Sequence, residues 1–187
     1  MRSAPLRDCV RAFGLLAVLT AIARAQQPAL TAAPSTRAST TVTLNPPRGS
    51  QGVAPAHIRI DYGQPHLRGR ALHAAGLVPF DSVWRLGANE ATGLETDVDL
   101  LIGGQAVPKG KYTLYALPSA AGWKLIINKN TGQWGTDYKA EYDLVRLDLR
   151  KRALTAPVES LSIWLIPSSR YSTGSSIVIT TRSGVFR

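Results

Sequence analysis

Alternation of apolar and polar side chains runs through most of this chain and leaves little room for helix. In His57-Ile58-Arg59-Ile60-Asp61-Tyr62, the residues Ile58, Ile60 and Tyr62 fall on one face and His57, Arg59 and Asp61 on the other. A period of two is that of a strand buried on one side. Thr41 to Leu44 begins the same pattern, and Gly93 to Asp97, Val98 to Ile102, Lys111 to Leu117 and Trp123 to Asn128 continue it. Leu144 to Leu149, Glu159 to Ile166 and Ser176 to Thr181 are further strand candidates, with glycine or proline at nearly every junction. Gly103-Gly104 permits the positive φ angles of a hairpin turn, between Val98 to Ile102 and the segment reaching Tyr112. The best helical stretch, Arg70 to Ala75, is closed by Gly76 and predicts a turn or two at most. Eight or nine short strands with so little helix predict an all-β, mainly antiparallel single domain, either a β-sandwich or barrel-like.

A chain of 187 residues, 44% hydrophobic, can build such a core without metals or disulfides. Its beginning differs from the rest. Arg2, Arg7 and Arg11 precede an apolar run from Ala12 to Ala23, which ends in Ala23-Arg24-Ala25. These are the three parts of a secretory signal peptide, predicted over residues 1–25. The run is too short for a transmembrane helix, which needs about 20 residues, so no stable membrane anchor is expected. The single cysteine, Cys9, would leave with the signal, and the mature chain would lack thiol nucleophiles, thiolate ligands and disulfides. Residues 26–39 are rich in Ala, Pro, Ser and Thr without apolar periodicity, which predicts a flexible linker before a domain over residues 40–187. The destination implied is the periplasm or the extracellular space.

The signal's four arginines against one aspartate carry +3 of the formal +10, leaving +7. The densest basic run, Arg150-Lys151-Arg152, has no interleaved aromatics, so nucleic acid is not an expected partner.

Between Ile60 and Thr92 the chain is far richer in Trp, Arg, Asn and Glu than a plain connection requires. Tyr62-x-x-Pro65-x-x-x-Gly69-Arg70, then Leu77-Val78-Pro79, then Val83-Trp84-Arg85-x-Gly87-Ala88-Asn89-Glu90-Ala91-Thr92 resemble the signature of a bacterial family, domain of unknown function 2911. Gly110 to Leu114, Trp123 to Lys129 and Gln133-Trp134-Gly135 follow in the family's order, so the resemblance spans Thr40 to Ile166. It implies an exported β-rich domain and assigns no activity. His66 and His73 lie outside the shared motif.

The chemistry open to the mature chain is narrow. Its three histidines, His57, His66 and His73, lack the spacing of a metal site, so no metal is expected. No Gly-x-Ser-x-Gly elbow or triad is visible, and no glycine-rich loop opens a helix, so neither a classical nucleophile nor a nucleotide cofactor is predicted. No cofactor of any kind is implied. Glu95, Asp97 and Asp99 alternate and would wet one strand face.

A polar pocket remains, lined by Arg70, Arg85, Asn89, Glu90 and Thr92 with Tyr62, Trp84 and Trp134 as walls. Arginine forks hold carboxylate, sulfate or phosphate through paired hydrogen bonds, and Glu90 could accept a sugar hydroxyl. The competing account makes the same residues structural, with Arg70 or Arg85 paired to Glu90, Asn89 and Thr92 satisfying backbone groups, and Trp84 plugging the core. Trp123 opens an apolar strand and reads as core, whereas Trp134 reads as surface. The residues favour a non-enzymatic binding module for a small polar or anionic ligand, a glycan or a partner protein. A hydrolase or lyase using Glu90 with Arg85 is the alternative, and a structural envelope or surface protein is a third.

Overall fold

The computed structural model describes residues 33–73, 77–167, 175–181 and 184–186, and from residue 167 onward the backbone alone. The predicted signal and the first half of the predicted linker, residues 26–32, lie outside these residues. Among the described residues no helix is long and apolar enough to cross a membrane.

Among the described residues twelve strands follow one another: β1 (Thr36–Leu44), β2 (Ala56–Gln64), β3 (Thr92–Thr96), β4 (Leu100–Ile102), β5 (Gln105–Val107), β6 (Gly110–Pro118), β7 (Trp123–Asn128), β8 (Asp143–Leu149), β9 (Lys151–Arg152), β10 (Ser162–Pro167), β11 (Ser175–Thr181) and β12 (Gly184–Phe186). Among the described residues the one helical element is a 3-10 turn at Ala140–Tyr142. It lies away from Arg70 to Ala75: Arg70 and Ala71 are irregular, Leu72 and His73 form a turn, and Ala74 to Gly76 lie outside the described residues. Gly103 (φ 56°) and Gly104 (φ 80°) do form a hairpin turn, but β4 pairs with the short β5 rather than with the strand that carries Tyr112.

All pairings among the described residues are antiparallel, in a six-stranded sheet ordered β1-β2-β3-β6-β7-β8, a four-stranded sheet ordered β10-β11-β12-β9 and the two-stranded β4-β5 hairpin. Both larger sheets are open, which selects the sandwich over the barrel. The inward faces of β2, β3 and β6 contribute Ile58, Ile60, Leu94 and Leu114, and β10 adds Ile163 and Leu165 to the same core cluster. Trp123 is buried there, as its place at the head of an apolar strand predicts.

β1 begins at Thr36, ahead of the domain start expected at Thr40, and pairs with β2 along its full length. Its first residues carry few apolar side chains because it is an edge strand with much of its surface in water. Composition therefore hid what pairing supplies.

Candidate functional site

Residues 65–91 connect β2 to β3, and the signature segment within them runs as a series of bends between single bridges at Trp84 and Glu90. Trp84, Leu86 and Ala88 are buried, while Arg85 is half-buried between them. Trp84 exchanges two backbone hydrogen bonds with Ala116, of 2.7 and 2.8 Å, extending the ladder of β6 past the end of β3. The segment then lies on β2. The Ala88 N–H donates to the Gly63 carbonyl at 3.1 Å, and a Cβ placed on Gly63 would come 1.9 Å from the Ala88 oxygen. Only glycine leaves room for that approach. Gly87 serves packing too, since a Cβ there would meet Gly63 O and Thr92 Oγ1 at 2.9 Å each. Leu86 and Asn89 take positive φ angles of 50° and 63° where the segment turns.

This placement divides the candidate residues. Tyr62, Trp84 and Thr92 face inward. The Tyr62 hydroxyl accepts the Ile163 N–H at 3.1 Å, Thr92 Oγ1 donates to the Leu86 carbonyl at 3.0 Å, and Trp84 meets Trp123 edge-on at 6.2 Å. They hold the fold rather than line a pocket. Arg70 is also removed from the group, because its guanidinium donates to the carbonyls of Leu67 and His66 at 2.9 Å each and closes its own turn. Glu90 is bound by neither Arg70 nor Arg85. Its carboxylate accepts from Arg37 Nη1 at 3.4 Å.

Arg85, Asn89, Glu90 and Trp134 do come together, where the signature segment meets residues 129–135. Glu90 and Trp134 form an antiparallel bridge, which sets their side chains on one face. A Cβ on the neighbouring Gly135 would come 2.2 Å from Arg85 Cδ and 2.6 Å from the Asn89 oxygen. Arg85 thus packs along Gly135, and its guanidinium has no hydrogen bond or ion pair among the described residues.

Beside this junction lies a cleft of about 300 Å³ on the outward face of the six-stranded sheet. The register builds it. Arg59, Glu95 and Lys111 stand opposite one another on β2, β3 and β6, and the next outward row is Asp61, Gly93 and Thr113. Gly93 leaves the middle of that row bare. The nearest atom to a Cβ placed on it is the Asp61 oxygen at 4.0 Å. Glu90 closes one end, and Thr131, Gly132 and Gln133 form a wall. Three cations meet three carboxylates here: Arg37 with Asp61 and Glu90, Arg59 with Asp61 at 3.2 Å, and Lys111 with Glu95 at 3.1 Å. Glu95 shares no strand face with Asp97 and Asp99, since β3 ends at Thr96; Asp97 accepts from the His57 N–H at 2.8 Å and Asp99 from the Lys109 N–H at 2.8 Å.

The wall is held by a polar network that sequence reasoning missed. Gln133 Nε2 donates to the Tyr115 hydroxyl at 2.8 Å, and Thr113 Oγ1 donates to the Asn130 carbonyl at 2.7 Å. Gln133 Oε1 is buried without a hydrogen-bond partner. Tyr138 lies edge-on to Tyr115 and donates to Asp143 at 2.6 Å, and Arg146 donates to the same carboxylate at 2.8 Å. Burial pushes the Tyr138 hydroxyl up to about 12, with the hydrogen bond to Asp143 adding to it. Burial also raises Tyr115, against the hydrogen bond from Gln133.

A serine does contact a histidine elsewhere: His66 Nδ1 and Ser160 Oγ are 2.6 Å apart across an isolated bridge. The adjoining cavity, lined by Leu72, Val78 and Trp84 among others, holds about 20 Å³, room for one water molecule and no substrate. Among the described residues no cluster of His, Cys, Asp or Glu could hold a metal ion.

Fold and cleft together define an antiparallel β-sandwich with a charge-matched trough on its larger sheet. The chain belongs to the family described as protein of unknown function (DUF2911), which matches residues 46–177. No curated protein and no solved structure matches it significantly.

Proposed function

We propose that this chain is an exported, non-enzymatic binding module that holds a small polar ligand in the cleft over Gly93. One observation carries the reading: an outward sheet face, ordinarily filled by side chains, has a bare position ringed by polar groups and walled by a braced loop. A volume of about 300 Å³ lies at the small end of ligand sites. Glu90 is 59% exposed and paired to Arg37, which suits a carboxylate that accepts hydrogen bonds from a ligand. Export rests on the charged, apolar and small-residue parts of residues 1–25. Finding the protein in the cell interior with its first 25 residues intact would overturn that part of the reading.

The test of the cleft is Gly93→Val, which fills it without removing a charge. Thermal shift of the protein against sugars, amino acids, organic acids and phosphates would expose a ligand, because 100 times the dissociation constant adds about 2.7 kcal/mol. The shift should vanish in Gly93→Val while the unliganded midpoint stays in place. A ligand that shifts both proteins equally binds somewhere else.

A further inference from the structure

We infer that the ligand of this cleft is a neutral saccharide, its hydroxyls read by the ion-paired side chains and one ring face laid on Trp134. The inference rests on the cleft being the binding site.

The charge balance comes first. The chain as a whole carries +10, yet the cleft sets Arg37, Arg59 and Lys111 against Asp61, Glu90 and Glu95. Each carboxylate has its cation, at 3.4 Å or closer. An anion entering here would displace an existing partner and face a carboxylate, so the surplus positive charge of the chain does not act where the ligand would lie. A hydroxyl group differs, because it donates to one charged group and accepts from another. Vicinal hydroxyls can therefore use a cation and a carboxylate together without breaking their pairing, and charge-assisted hydrogen bonds are the stronger kind.

The aromatic comes second. Trp134 is 49% exposed and directly follows Gln133 of the wall, and its bridge to Glu90 sets the two side chains on one face, which puts the indole at the rim beside the cleft rather than among the residues that line it. A Trp beside a carboxylate offers an apolar plate and an acceptor together, matching the C–H face and the hydroxyl edge of a pyranose. Gly93 supplies the third element, a floor with no side chain against which a flat ring can rest.

The experiment is calorimetric titration of the full chain with neutral oligosaccharides, namely gluco-, manno- and N-acetylglucosamine oligomers. Acidic oligosaccharides and inorganic phosphate are run alongside, each at low and high salt. A neutral oligosaccharide should bind with an affinity that is unchanged between about 0.05 and 0.5 M salt, since no net charge is neutralised. Trp134→Ala should weaken it about tenfold or more, Trp134→Phe should restore most of the loss, and Gly93→Val should abolish it. Gly93→Ala provides a smaller block if valine disturbs the strand. Binding confined to acidic sugars or phosphate, weakening with salt and lost in Gly93→Val, would overturn the saccharide while leaving the cleft as the site. Saccharide binding undiminished in both Gly93 variants would overturn both. No binding by any neutral oligosaccharide would overturn the saccharide alone.

Discussion

Arg37 reaches from the first strand to the signature segment, placing Nη1 3.4 Å from Glu90 Oε2 while also pairing with Asp61 on β2. One guanidinium thus ties an edge strand to two carboxylates far away in sequence. Exposed pairs of this kind contribute little stability. Arg37→Ala should lower the unfolding free energy by only about 0.5–1 kcal/mol. Denaturant titration would check this, and a loss several times larger would mean that β1 detaches.

The contact between Gly63 and Ala88 should be far less forgiving. A methyl group at Gly63 has to move the Ala88 carbonyl, 1.9 Å away, or bend β2. Overpacking against backbone sets the cost of Gly63→Ala at about 3 kcal/mol. An unchanged denaturation midpoint would show that the segment does not lie on β2.

Asn89 sits at φ 63° on an exposed turn. Residues with a Cβ other than Asn and Asp resist that region by about 1–2 kcal/mol, and glycine does not. Asn89→Ala should therefore destabilise by about 1 kcal/mol and Asn89→Gly by less, as paired thermal melts would show.

Arg85 contributes through its stem rather than its charge. Its Cδ lies over Gly135 and the guanidinium has no protein partner among the described residues. Arg85→Ala should cost about 1 kcal/mol and Arg85→Met much less. Equal losses in both variants would point to the charge instead.

Tyr138 gives the protein an alkaline limit. Burial and Asp143 hold its hydroxyl neutral up to about 12, against 10.0 for the free side chain. The raised folded value means that the unfolded chain loses this proton first. The group's stabilisation is thus complete below about pH 10 and is lost as pH climbs toward 12. Comparing unfolding midpoints of wild type and Tyr138→Phe across that window should show a shallower fall in the variant.

Much of the sheet was legible in the sequence, because alternation reports a strand with one wet face; Trp123–Asn128 is bounded as the pattern predicts. The short β9 and β12 escaped, since two or three residues carry no period. The site was legible only in part. Arg85, Asn89, Glu90 and Trp134 do meet, but Tyr62 shares the face of Ile58 and Ile60, so the period that marked its strand also implied its burial. Arg59, Glu95 and Lys111 become neighbours through register alone, which composition does not encode. Arg37 stood in a stretch whose Pro, Ala, Ser and Thr content argued for a linker.

The seating of Ala88 on Gly63 also bears on the rate of binding. A segment whose backbone is wedged against a strand has no hinge with which to fold over a guest, so the receptor is shaped before the guest arrives. Association should then be a single bimolecular step without a slower closing phase, and residence time should be governed by rim side chains such as Trp134 rather than by loop motion.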